Sequence, residues 1–344
     1  MDSTTIQVAI FGASGYSGEE LLRLLQRHPS AHVAFVTSRQ YAGQPIGTVF
    51  PRFAESSLQF CQPDVSAIAP NVDVAFLALP HGLATEYAIP LLKAGVRIID
   101  ISADFRLRSP AKYEAYYDEP HPAPELLSQA VYGLPERYRG ALKGAQLVAC
   151  PGCYPTSTIL PLSPVLAAGL VDPATVIVSS MSGVSGAGRK VDLPYIFPEC
   201  NESVRPYKVT GHRHLPEIEQ ELAIAAGVDE MSINFIPHLV PINRGIHSTI
   251  VANARGNVSA EMIGNVLNAA YADEPFVRVL PSGGLADTKH ITATNVCEIG
   301  YAFDSHTGRV ILSSAIDNLT KGASGQAVQC LNITCGFPET TGLL

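Results

Sequence analysis

The sequence predicts an α/β fold: a doubly wound parallel sheet joined to a second, α+β domain. Three observations predict it. A short apolar run near the start enters a glycine-rich turn and then a leucine-bearing segment. Strand-like runs then alternate with helical segments through the first 150 residues, the pattern of a parallel sheet. Beyond residue 150 the chain changes to small-residue loops, a histidine-rich segment and longer alternating runs. With 344 residues there is room for two medium domains, each with its own core. The expected division is 1–150 with 315–344 in the first domain, made discontinuous by the returning C-terminus, and 151–314 in the second.

Residues Ile6 to Ile10 read as a strand that runs into Gly12, Gly15 and Gly18, and a helix is expected from Glu19 to His28. Strand, glycine turn and helix start place backbone N–H groups and the positive end of a helix dipole beside a phosphate. Gly12, Ser14, Gly15, Tyr16 and Ser17 are therefore candidate cofactor contacts in a Rossmann-type unit. The spacing is GxxGxxG, and a ligand-free βα turn would also satisfy it. The next strand, His32 to Thr37, ends at Ser38 and Arg39, where an NAD site usually carries an acidic residue for the ribose hydroxyl. A hydroxyl and a guanidinium can bind a 2′-phosphate, so the expected cofactor is NADP(H).

Val72 to Leu79 reads as a buried parallel strand entering Pro80-His81-Gly82, with a helix over 84–94 and a strand over 96–100. Ligands bind at the carboxyl ends of such strands, which favours Pro80, His81 and Arg106 as site residues. Residues 109–139 read as an irregular excursion. Gln146 to Ala149 is a strand, followed by Cys150-Pro151-Gly152-Cys153 and a helix to about Ala168, with Pro161 and Pro164 expected to kink or end it. A cysteine at a helix N-terminus is biased toward thiolate, the competent nucleophile. Cys153 is the candidate; a thiol–disulfide pair with Cys150, half a zinc site and a structural cysteine are the other readings.

Ser182 to Arg189 is a small-residue loop with many backbone donors, so Ser182 and Gly183 are candidates for lying against a nicotinamide or an acyl oxygen. His212 and His214 are two apart, and in extended backbone they would point to opposite sides, which disfavours a shared metal. No metal is expected. Two strands are expected within 234–252, with Arg244 and His247 as candidates for a substrate carboxylate. From Ser314 the spacing reads as helical, and Asn318 is a candidate for the nicotinamide amide.

Composition excludes some classes. Hydrophobic residues make up 47 % and charged residues 16 %, with net charge −8, so there is no basic footprint for nucleic acid or an anionic membrane. No apolar run nears the roughly 18 residues of a membrane span. The polar start lacks a basic n-region, and seven cysteines show no framework spacing. The expectation is a cytoplasmic protein with free thiols, a processed organellar form being left open.

Taken in order, GASGYSG at 12–18, ALPHG at 78–82, ISADFRL at 101–107, PGCYPT at 151–156, SGVSGAGR at 182–189, NES at 201–203, GHRHLPEI at 211–218, PHLVPINRGI at 237–246 and DNLTKGASGQAVQ at 317–329 resemble the N-acetyl-γ-glutamyl-phosphate reductases of arginine biosynthesis. That family is similar in architecture to aspartate-semialdehyde dehydrogenases. The resemblance implies NADPH-dependent reductive dephosphorylation of an N-acetylglutamyl acyl phosphate, with phosphate released and a homodimer or homotetramer as the assembly. It places the nucleophile at Cys153 and the acid–base at His214, with His212 second and Glu217 orienting. It gives Arg106 the phosphate. The family usually has Asn where Cys150 stands, which raises reversible Cys150–Cys153 oxidation. A reductase of a carrier-bound aminoadipyl phosphate and a non-enzymatic NADP-binding thiol sensor are the competing readings.

Overall fold

The computed structural model describes residues 5–344. The polar start Met1-Asp2-Ser3-Thr4, expected to carry no secretory signal, lies outside the described residues. The chain divides into two units: Met1–Glu114, Glu119–Pro151 and Ala323–Leu344 form one, Ala115–Asp118 and Gly152–Gly322 the other. Among the described residues no helix is long and apolar enough to cross a membrane.

The first unit is built on β1 (Ile6–Phe11), β2 (Ala31–Thr37), β3 (Phe60–Cys61), β4 (Val74–Leu77), β5 (Arg97–Asp100), β6 (Val131–Tyr132) and β7 (Leu147–Ala149). Their order is β3-β2-β1-β4-β5-β7-β6, and every pairing is parallel. The order reverses between β1 and β4, the crevice where such sheets bind ligands. Val8 and Ile10 pack on one face with Leu21, Leu22 and, from the C-terminal helix, Val328 and Leu331. Ala9 and Phe11 face the other way, against Leu77, Tyr87 and Leu91. Successive strand residues point to opposite faces. Because both faces are covered, β4 and residues 8–11 of β1 read as continuous apolar runs.

Two expectations for the first 150 residues change. The first helix spans Tyr16–Leu25, three residues earlier than Glu19 at its start, because Gly15 is its N-cap. The stretch 109–139 is not irregular: it holds the helices Pro110–Tyr117, Pro124–Leu127 and Pro135–Leu142, besides β6. Each of these helices opens on a proline, which suits a first helical position because the missing N–H has no intrahelical partner there.

The second unit carries a mixed sheet of β8 (Ile177–Ser182), β9 (Arg205–Pro206), β10 (Asn234–Leu239), β11 (Ile246–Asn253), β12 (Val277–Val279), β13 (Cys297–Asp304) and β14 (Arg309–Ile316). The order is β12-β13-β14-β11-β8-β10-β9. The two strands expected within 234–252 flank β8 instead of pairing with each other; β10 runs parallel to β8 and β11 antiparallel. The helical reading from Ser314 gives way to β14, which lies between β11 and β13 and is held by ladders on both edges. A π-turn, Thr320–Ser324, follows, and the helix proper is Gly325–Cys335.

The helix Cys153–Ala167 does not stop at Pro161 or Pro164. A proline inside a helix frees the carbonyl four residues earlier. Here Ser314 Oγ donates to the Ser157 carbonyl and Tyr271 Oη to the Leu160 carbonyl, so both freed acceptors are satisfied by hydroxyls from other elements. Parallel strands on one sheet and a mixed sheet with helices in the other unit give the α/β plus α+β architecture that the sequence predicts.

Candidate active site

In the first unit, β1 ends at Gly12, whose φ is +81°. A Cβ there would lie 2.3 Å from the Ala78 carbonyl oxygen, and one at Gly18 would lie 2.5 Å from Ala13 Cα. Both positions require glycine for close packing of turn, strand and helix. Gly15 has only the Gly12 carbonyl oxygen near its absent side chain, at 3.6 Å. The Ser324 hydroxyl donates to the Ser17 carbonyl and ties the turn to the C-terminal helix. A cavity of about 230 Å³ opens here, lined by Gly12, Ser14, Ser38, Arg39, Pro80 and Tyr87 among others. Ser14 Oγ and Ser38 Oγ are 3.0 Å apart. Arg39 Nη2 donates to Tyr87 Oη and lies 3.2 Å from Glu86 Oε2. A glycine cradle, hydroxyls and a guanidinium fit a phosphorylated dinucleotide. Gly15, Tyr16 and Ser17 do not line this cavity, and neither does His81, which is exposed. The sequence reading missed Asp104. Its buried carboxylate accepts from Gly82 N and Ala84 N and caps the helix Ala84–Lys93 from 20 residues away, a distance at which no local pattern signals it.

In the second unit, Cys153 is the first residue of its helix and Gly152 the N-cap. The Gly152 N–H donates to Glu217 Oε1 at 2.9 Å, so this buried carboxylate holds the turn that presents the cysteine. All seven cysteines are free thiols. Cys150 belongs to the first unit and is fully buried, its N–H on the Asp100 carbonyl and its own carbonyl accepting from Arg106 Nε.

The histidines are arranged differently from the expectation. The segment is a turn, not extended: the His214 N–H donates to His212 Nδ1 and the Leu215 N–H to the His212 carbonyl. The two rings therefore sit on the same side, with centroids 5.0 Å apart. Tyr154, directly after Cys153, packs edge-on against both, at 5.4 and 5.9 Å. Tyr207 and Phe235 complete the wall around His212. Burial pushes His212 down to about 4, helped by the charges of Lys208 and Arg213, so it is neutral at pH 7. Its Nδ1 accepts a backbone N–H, which fixes the proton on Nε2. The Tyr154 and Tyr207 hydroxyls are 3.0 Å apart, and burial raises both phenols, so neither ionises near neutrality.

These histidines open onto a cavity of about 550 Å³ that Ser182, Gly183, Tyr207, Lys208, Arg213 and Arg205 also line. The cations suit an anionic ligand. Lys208 holds a φ of +45°, a strained conformation for a residue with a side chain. The density of basic residues between 205 and 213 was the available signal for them.

Four expected ligand contacts are engaged within the fold. The loop after β8 spends its donors internally: Gly183 N, Val184 N and Ser185 N bond the carbonyls of Gly245, Ile242 and Asn243. It lines the cavity without offering those N–H groups to an acyl oxygen. Asn318 is buried, accepting from Gly245 N and donating to Ser185 Oγ, so its amide braces this loop. Arg244 pairs with the fully buried Asp317 at 2.9 Å and donates to Thr320 Oγ1. Arg106, in the first unit, is buried and donates to the carbonyls of Cys150 and Ile101.

The sequence model for "Semialdehyde dehydrogenase, NAD binding domain" matches residues 7–145, and that for "Semialdehyde dehydrogenase, dimerisation domain" matches residues 153–318. An N-acetyl-gamma-glutamyl-phosphate reductase of Akkermansia muciniphila is 55 % identical over 342 residues, covering 98 % of each chain. The chain belongs to the N-acetyl-γ-glutamyl-phosphate reductase family. A reductase of this family from Moorella thermoacetica is 49 % identical over 341 residues, again across 98 % of both chains. Aspartate semialdehyde dehydrogenase II of Vibrio cholerae shares the fold, with a TM-score of 0.74 at 20 % identity over 96 % of this chain and 98 % of that one. As a member of the N-acetyl-γ-glutamyl-phosphate reductases, the chain is an oxidoreductase.

Proposed function

We propose that this chain reduces N-acetyl-L-glutamyl 5-phosphate to N-acetyl-L-glutamate 5-semialdehyde and phosphate, with NADPH as cofactor, through a thioester on Cys153. The observation that carries the reading is the cysteine at a helix start, held by Glu217 and followed by a tyrosine packed on two histidines. The names of the relatives supply the substrate.

The positive end of the helix dipole favours the Cys153 thiolate. Its sulfur attacks the acyl carbonyl carbon, a C–S bond forms, and the C–O bond to phosphate breaks. Lys208, Arg205 and Arg213 hold the negative charge of substrate and leaving group. Gly12, Ser14, Ser38 and Arg39 would hold NADPH, which supplies hydride when bound. The C–S bond then breaks, releasing aldehyde and regenerating the thiolate. His212, neutral and fixed by the His214 backbone, is unsuited to donate a proton at pH 7, which leaves His214 to hold the proton that balances charge at the sulfur and oxygen. The matched dimerisation domain supports assembly with a second copy, which light scattering on purified protein tests.

The reverse reaction gives the direct assay. NADP reduction is expected only with both N-acetylglutamate 5-semialdehyde and phosphate present. An aminoadipyl semialdehyde turning over faster would move the substrate assignment.

A further inference from the structure

Glu86 stands in an unusual place for a site that takes a 2′-phosphate. It lies in the first turn of the helix Ala84–Lys93, more than half exposed. Its carboxylate reaches the same Arg39 Nη2 that donates to Tyr87 Oη, at 3.2 and 3.4 Å. Arg39 lines the nucleotide cavity with Ser14, Ser38 and Tyr87. The arginine expected to recognise the phosphate thus already carries a carboxylate partner. We propose that Glu86 is a specificity-determining residue that holds down the preference for NADP(H) over NAD(H); this rests on the reading of Arg39 as the 2′-phosphate ligand.

The chemistry is one of competing anions. A 2′-phosphate needs the charge-assisted hydrogen bonds that the guanidinium offers. Glu86 occupies one of those donors and leaves a like charge beside the incoming phosphate. The ribose 2′-hydroxyl of NAD(H) brings no charge, and a carboxylate can accept its hydrogen. An exposed ion pair is weak and screened by salt, so phosphate can displace Glu86, yet the repulsion persists. Tyr87, whose hydroxyl oxygen accepts from Arg39, keeps its own proton free to turn toward either anion.

The test is direct binding, read from the fluorescence of NADPH and NADH titrated with enzyme. Glu86→Gln keeps the side chain's size and removes its charge. It should tighten NADPH by about threefold to fivefold at low salt, leave NADH no tighter, and lose the difference as ionic strength rises. Arg39→Gln should weaken NADPH about tenfold or more and spare NADH. An unchanged NADPH/NADH ratio in Glu86→Gln, or weaker NADPH binding, overturns the role of Glu86 while the Arg39 result stands. An unchanged ratio in Arg39→Gln overturns the phosphate reading itself and the proposal with it.

Discussion

His212 is walled by Tyr154, Tyr207 and Phe235, and burial lowers it from 6.5 to about 4. The unfolded chain therefore binds a proton between those values that the folded protein does not. Stability from this residue is complete above about pH 6.5 and is lost as pH falls toward 4, on the order of 3 kcal/mol in all. Urea unfolding at pH 7 and pH 4.5 should show the wild type losing markedly more stability on acidification than His212→Asn. Equal losses would mean that His212 is not buried neutral. That both histidines belong to one polar cluster was legible in their spacing beside a helix start. Their shared side was not, because it follows from the hydrogen bond of His214 N–H to His212 Nδ1, which no side-chain pattern announces. The partners of Arg244 and Asn318 were not legible for a related reason. Each is the residue type that binds a ligand, and each is used by Asp317, Thr320, Gly245 or Ser185 inside the fold.

At the scale of elements, the helix Cys153–Ala167 depends on hydroxyls far away in sequence. Tyr271 lies 111 residues from Leu160, and Ser314 lies 157 residues from Ser157. Local propensity sees only the two prolines, and so it predicts a break. Removing either hydroxyl leaves a buried carbonyl without that donor. Tyr271→Phe or Ser314→Ala should each cost about 1–3 kcal/mol in denaturant unfolding, and a variant that loses nothing would show the acceptor satisfied otherwise. The π-turn Thr320–Ser324 bears on the same helix. A Cβ at Gly322 would come 2.7 Å from Cys153 Cβ, so Gly322→Ala must move one of them. Slower alkylation of Cys153 by iodoacetamide, with kcat falling more than KM changes, is the expected outcome; wild-type alkylation and kcat would show that the turn does not set the cysteine's position. By contrast, β1, its glycine turn and the following helix were legible, since a two-sided buried strand and the packing at Gly12 and Gly18 each leave a local mark.

For the molecule as a whole, each of the two units carries residues that the proposed reaction requires. One has a parallel sheet with a glycine cradle, hydroxyls and Arg39 at its switch point. The other has a mixed sheet, a cysteine at a helix start and a cavity lined by histidines and cations. The ordered motifs announced this pairing because they sit at strand ends and helix starts, where backbone geometry constrains residue type. The stretch 109–139 announced little, because its helices are short and each buries only a few side chains, such as Tyr113, Leu126 and Leu127. In the proposed reaction Cys153 alone carries the acyl group. This is tested by following NADP reduction with N-acetylglutamate 5-semialdehyde and phosphate in the wild type, Cys153→Ser and Cys150→Ser. No turnover is expected for Cys153→Ser and retained turnover for Cys150→Ser; full turnover without the Cys153 sulfur, or a rate that does not depend on phosphate, would show that Cys153 does not carry the acyl group.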